Sequence, residues 1–146
     1  MIDKLKYYWR LKKLYKKQEI TKKVYDNLIK KAKKEGKKGN EIQRLYSEAG
    51  SEYFLIQDQI DILITSYLKS EANKLILPIP EDDDIKMWKE APDMCPYKVL
   101  SEKGVTELRS AIRRERKERR EAHISWIAII IGLIGAITGL LAVILK

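Results

Sequence analysis

Apolar positions recur at helical spacing along most of this chain, and near its end they fuse into one unbroken run. In residues 2–18 the repeat is carried by Leu5, Tyr8, Leu11 or Trp9, and Leu14 with Tyr15; in residues 21–36 by Val24, Leu28, Ile29 and Ala32. Two short helices are predicted. Thr21, with Ile20 before it and Tyr25 four positions on, has the pattern of an N-cap with a hydrophobic staple, so a helical hairpin turning at residues 18–21 is expected. Beyond Gly36 and Gly39, Asn40 and Gln43 have capping-box spacing. Ile42, Tyr46, Ala49, Tyr53, Ile56, Ile60, Leu63 and Tyr67 then hold a heptad period, widened by Leu45, Leu55 and Ile62. So broad a face predicts the central helix of a bundle, completed within one chain or by neighbouring subunits. Leu77-Pro78-Ile79-Pro80 ends it, since Pro lacks a backbone donor and disfavours helix in the residue before it. Residues 85–100 read as a compact loop with one short strand at Tyr97–Leu100. Ser101 then caps a helix that meets no breaker before the apolar run. The expected class is all-α, with a long last helix continuing into a transmembrane span.

That run, residues 124–145, has 22 positions without a charge. At about 1.5 Å per residue it spans roughly 33 Å, against a hydrocarbon core of ~30 Å. One crossing is predicted. Arg109, Arg113, Arg114, Arg116, Lys117, Arg119 and Arg120 precede it and only Lys146 follows. Because short basic flanks stay on the cytoplasmic side, the expected topology is single-pass with a cytoplasmic N-terminus. Trp126 falls at the inner boundary, where an indole keeps its N–H wet. Ala128, Gly132, Gly135, Gly139 and Ala142, spaced 4, 3, 4, 3, share one face of the span. Small residues let membrane helices approach closely, so self-association through this face is expected. Thr138 is the single hydroxyl deep in the span, which does not support a proton relay or charged filter.

Charge is segregated. Residues 1–38 carry 15 Lys/Arg against 4 Asp/Glu, residues 39–100 carry 6 against 12, and residues 101–146 carry 9 against 5. These blocks set the expected organisation: a basic hairpin (1–38), a central helix with an acidic and Pro-containing loop (39–100), a basic juxtamembrane helix (101–123) and the span (124–146). No apolar stretch follows Met1, so the tail is expected to carry the targeting. Lys30, Lys31, Lys33 and Lys34 are the candidate partner-binding cations, with an acidic protein or anionic lipid as the expected contact. Nucleic acid is a weaker expectation, because helical spacing already explains most of Tyr7, Tyr8, Trp9 and Tyr15. The run Glu81–Asp84 lacks calcium-loop spacing and reads as a solvated acidic loop, with the basic N-terminal hairpin of its own or a neighbouring chain as a further expected contact.

No catalytic residue, metal site or cofactor is expected. His123 is the one histidine and Cys95 the one cysteine, and neither has a recognisable base or nucleophile at catalytic spacing. The chain has no phosphate loop and no dinucleotide fingerprint. The segment LKKLYKKQEITKKVYDNLIKKA resembles the SHOCT motif, a short helical hairpin of bacterial membrane-associated and phage proteins, although Gln18-Glu19 stands where that motif usually has Gly. VLSEKGVTELRSAIRRERKERREA, followed by a Gly-rich span, is similar to small tail-anchored bacterial proteins of prophage and defence type. The resemblances imply a homo-oligomer with a protein partner or trigger, such as a phage protein. They also imply a bacterial inner membrane. The small-residue face and the long last helix favour an effector that breaches that membrane, as in antiphage defence; the single span without a polar stripe favours the alternative, a membrane adaptor tethering a cytoplasmic partner.

Overall fold

The computed structural model describes residues 4–37, 39–91 and 98–144, with side chains as far as Leu141 except Leu140. Among the described residues there are three helices, α1 (Lys4–Lys34), α2 (Asn40–Leu75) and α3 (Glu102–Ile144), and one antiparallel pair of strands, β1 (Trp88–Glu90) and β2 (Lys98–Leu100). The class is all-α. Two compact units divide at residue 108/109, inside α3.

The turn expected at residues 18–21 does not occur, and α1 runs through it unbroken for 31 residues. The first glycine is Gly36 and the first proline Pro78, while Gln18 and Glu19 are good helix formers. Lys23 bonds Glu19 one turn back at 2.6 Å across the supposed break, and that ammonium holds the Glu19 carboxyl below its ordinary range. Thr21 is therefore a buried mid-helix residue, not a cap. The true end is a Schellman turn: Gly36 N–H bonds Lys33 O, Lys37 N–H bonds Ala32 O, and Gly36 takes φ 75°. The capping box at Asn40 and Gln43 also fails. Asn40 is already helical, the cap position falls to Gly39 at φ 67°, and no side chain caps that end.

The hairpin in this protein is α1 against α2. Its seam on α1 is Tyr7, Leu11, Leu14, Gln18, Thr21, Tyr25, Ile29 and Ala32; Leu5, Tyr8 and Trp9, expected to face inward, are exposed. The polar Gln18 and Thr21 interrupt the apolar count, which is why composition alone shifts the seam by one position. Tyr7 stacks on Tyr67 with ring centroids 3.8 Å apart and planes within 8°. Gln18 Nε2 donates to Gln57 Oε1 at 3.0 Å, and Lys33 Nζ reaches the Tyr46 hydroxyl at 3.4 Å, so the helices run antiparallel. Burial concentrates in the second half of α2, where Ile56, Ile60, Leu63, Ile64, Tyr67, Leu68 and Ala72 are all buried; residues 40–55 contribute no buried side chain.

Residues 85–100 hold more order than a loop. β2 falls within the expected Tyr97–Leu100 strand, and β1, which the sequence does not announce, pairs with it through Lys89 opposite Val99. The buried Thr65 hydroxyl of α2 accepts the Leu100 N–H at 2.9 Å, satisfying a strand group that the two-stranded sheet leaves open. Cys95, with Pro92, Pro96 and Tyr97, lies outside the described residues. Ser101 caps α3 as expected: its Oγ accepts Gly104 N–H at 3.1 Å and donates to Lys86 O at 2.7 Å.

Gly104 is fixed by close approach. A Cβ there would stand 2.3 Å from the Met87 carbonyl oxygen and 3.0 Å from Leu100 Cδ2, whereas one at Gly50 would meet nothing within 4 Å. At the end of α2, Ile76 occupies the left-handed region at φ 59°, where a β-branched side chain is strained. In denaturant titrations of the full chain in detergent, Gly104→Ala is expected to lower stability by about 2 kcal/mol. Gly50→Ala should raise it by about 0.5 kcal/mol, and Ile76→Gly by about 1 kcal/mol. A neutral Gly104→Ala would refute the close approach.

Candidate functional site

Within residues 109–146 the candidate features are a basic collar and an apolar helix. The collar comprises Arg113, Arg114, Arg116, Lys117, Arg119 and Arg120, all exposed. Within this helix, Arg114 lies within 4.0 Å of Glu118, Lys117 of Glu121, and Arg119 of Glu115 at 2.7 Å, each pair one turn apart. Exposed pairs of this kind contribute little, on the order of 0.3–0.5 kcal/mol, so they leave the cations available to other anions.

The apolar part is long and apolar enough to cross a membrane, and none of its most apolar 18-residue window is buried in the chain. Ile124, Trp126, Ile127, Ile129, Ile130, Ile131, Leu133, Ile134, Ile137 and Leu141 are all exposed, on every side of the helix. Ala128, Gly132, Gly135 and Gly139 lie on one stripe, and a Cβ added at any of the three glycines meets nothing within 4 Å. The side chain of Ala142 lies outside the described residues. Thr138 Oγ1 donates back to the carbonyls of Ile134 (2.9 Å) and Gly135 (3.0 Å), so its hydroxyl is satisfied inside its own helix.

Within residues 1–108, Lys30, Lys31, Lys33 and Lys34 occupy the last turns of α1 and are exposed. Their position has a local use, because cations complement the negative end of a helix dipole. Lys31 approaches Glu35 at 3.9 Å, and Lys33 lies over the Tyr46 ring, 5.8 Å from its centroid. The acidic run is exposed and folded into two successive turns: Asp84 N–H bonds Glu81 O, Met87 N–H bonds Asp84 O, and Asp84 Oδ1 accepts Lys86 N–H at 2.9 Å.

A feature the periodicity does not announce is a groove of about 1320 Å³ between α1 and α2. Ile20, Ile62 and Leu63 supply apolar wall, Trp9 one flank, and Arg10, Lys12, Lys13, Lys16 and Lys17 a rim of five cations. Among the described residues no carboxylate lines it. Lys13 Nζ sits 5.4 Å from the Trp9 ring centroid, a cation–π contact at the edge. Only the pairing of two helices some 40 residues apart creates this site, so no local signal in the sequence marks it. Compared with known protein families, with curated proteins and with solved structures, the chain finds no match.

Proposed function

We propose that this chain is a single-span protein of a bacterial inner membrane with its N-terminal part in the cytoplasm. Its copies associate through Ala128, Gly132, Gly135, Gly139 and Ala142 and act as an effector that disturbs the bilayer, as in antiphage defence. One observation carries the reading. The chain buries apolar side chains efficiently along residues 56–72, yet leaves every described large apolar side chain between residues 124 and 141 exposed. Ten such side chains in water would be prohibitive at roughly 25 cal/mol per Å² of apolar surface, and hydrocarbon is the solvent that suits them. The cationic collar on one flank supports the cytoplasmic orientation and contact with anionic headgroups. The open glycine stripe supports close packing of like helices.

A second reading, an adaptor that holds a partner at the membrane, is favoured by Thr138. Its hydroxyl turns back to its own helix, so the span offers no polar stripe with which to line a water-filled path.

Removing residues 124–146 is expected to release the chain to the soluble fraction, and an N-terminal reporter should respond as a cytoplasmic one. Sedimentation of the truncated chain with membranes would refute a single anchor. Replacing Gly135 and Gly139 together by Leu keeps the span apolar while adding bulk to the stripe. Membrane localisation should persist while high-order crosslinked species and membrane depolarisation on overexpression both fall. Each contact contributes about 1 kcal/mol or less, but an assembly repeats the loss at every interface. Unchanged depolarisation in the double variant would favour the adaptor.

A further inference from the structure

The groove between α1 and α2 has the wrong chemistry to remain open as plain surface, and the same chain carries a matching knob. The turn Glu81–Ile85 presents four consecutive carboxylates, and Ile85 beside them is 87% exposed, among the most exposed large apolar residues described. Two backbone turns hold it in shape. Lys98 Nζ bonds the Asp82 carbonyl at 2.9 Å and the Trp88 indole N–H bonds the Pro80 carbonyl at 3.3 Å, which fastens the turn to the sheet. None of its residues lines the groove of its own chain.

We propose that the groove receives the Glu81–Ile85 turn of a second copy of this chain. Ile85 enters beside Ile20 and Ile62, and the acidic side chains meet the Lys13, Lys16 and Lys17 side of the rim. Charge complementarity carries the choice of occupant: five cations without a carboxylate on one surface, four carboxylates on the other. A fixed turn also loses little freedom on docking. Because knob and groove are different surfaces of one chain, the contact is head-to-tail and each copy keeps one knob and one groove free for the next. Such heterologous contacts close into rings or extend as filaments. The proposal deepens the self-association reading and shares its assumption that copies meet, but its contact lies in residues 1–108 and does not use the glycine stripe.

The test uses the full chain in detergent with Cys95→Ser. One pool carries Ile20→Cys and the other Ile85→Cys, both at exposed sites that tolerate change. Under oxidant the mixed pools should give a disulfide-linked dimer well above either pool alone and above a control with Ser51→Cys in place of Ile20→Cys. Lys13→Glu with Lys17→Glu should cut this crosslink about tenfold, as should Asp82→Lys with Asp83→Lys, since like charges then face each other. Pairing the two charge-reversed pools should restore it. Absence of a mixed crosslink above the control overturns the proposal. So does failure of the paired reversal to restore it, or a reversed groove that loses binding only to vesicles of anionic lipid. Persistence of the crosslink when Gly135 and Gly139 are both Leu supports the docking contact even if the tail reading fails, because the two contacts are read separately.

Discussion

The second half of α2 is the wall on which the rest of residues 1–108 is built. Ile56, Ile60, Leu63 and Tyr67 keep the spacing that faces α1, while Ile64, Leu68 and Ala72 are buried as well, and Thr65 holds the Leu100 N–H. A helix flanked on two sides must be apolar around most of its circumference. That requirement explains why the stripe of α2 is wider than a two-stranded seam needs. It also explains the contrast with residues 40–55, which have α1 on one side only and bury no side chain. The same wall accounts for the minor sheet. Two three-residue strands are too short to persist alone, and they last because Trp88, Val99 and Leu100 are buried against the rest of the unit.

Polar groups set the register of that packing. Gln18 on the α1 seam donates to Gln57, Gln57 donates to Asp61 Oδ1 at 3.0 Å, and Lys89 of β1 reaches Asp61 Oδ2 at 2.6 Å. The chain of bonds runs through α1, α2 and β1. A slide of α1 by one heptad would keep most apolar contacts but would strand Gln18 and part the Tyr7–Tyr67 stack. Apolar seams alone tolerate such slips, and a polar residue at one seam position suppresses them. No described buried side-chain nitrogen or oxygen lacks a partner, so this specificity carries no uncompensated desolvation.

What the sequence made legible follows from the range of the interactions involved. The apolar tail, the stop at Pro78 and Pro80 and the cap at Ser101 are encoded within a few residues, and each falls where expected. The break expected at residues 18–21 is absent although Ile20-Thr21 has the local form of a cap, because nothing there stops the preceding helix. Among the described residues of the turn that does form, Gly36 and Gly39 supply the positive φ. The seam of α1 departs from its apolar repeat because Gln18 and Thr21 hold seam positions through a hydrogen bond and burial, not through hydrophobicity. Strand β1 is Trp-Lys-Glu, three residues with no readable period, and its pairing partner lies ten residues away. Of the candidate site, the collar and the glycine stripe were visible because both are single-helix patterns. The groove is not, since its walls belong to both α1 and α2.

Two exposed apolar surfaces of this chain differ in the charges around them. Between residues 124 and 141 the apolar surface encircles the helix without interruption by a charge, and the nearest cations stand together at one end. Lipid tails suit the one and headgroups the other. In the groove, apolar residues occupy a strip one or two side chains wide, with a cation within a turn of each apolar residue of α1. Hydrocarbon cannot cover such a strip without also taking up the lysines, at a cost of several kcal/mol per ion. Water covers the lysines well and the isoleucines poorly. The surface that satisfies both is a folded one, with an apolar tip set among carboxylates, and the turn at Glu81–Ile85 has that composition.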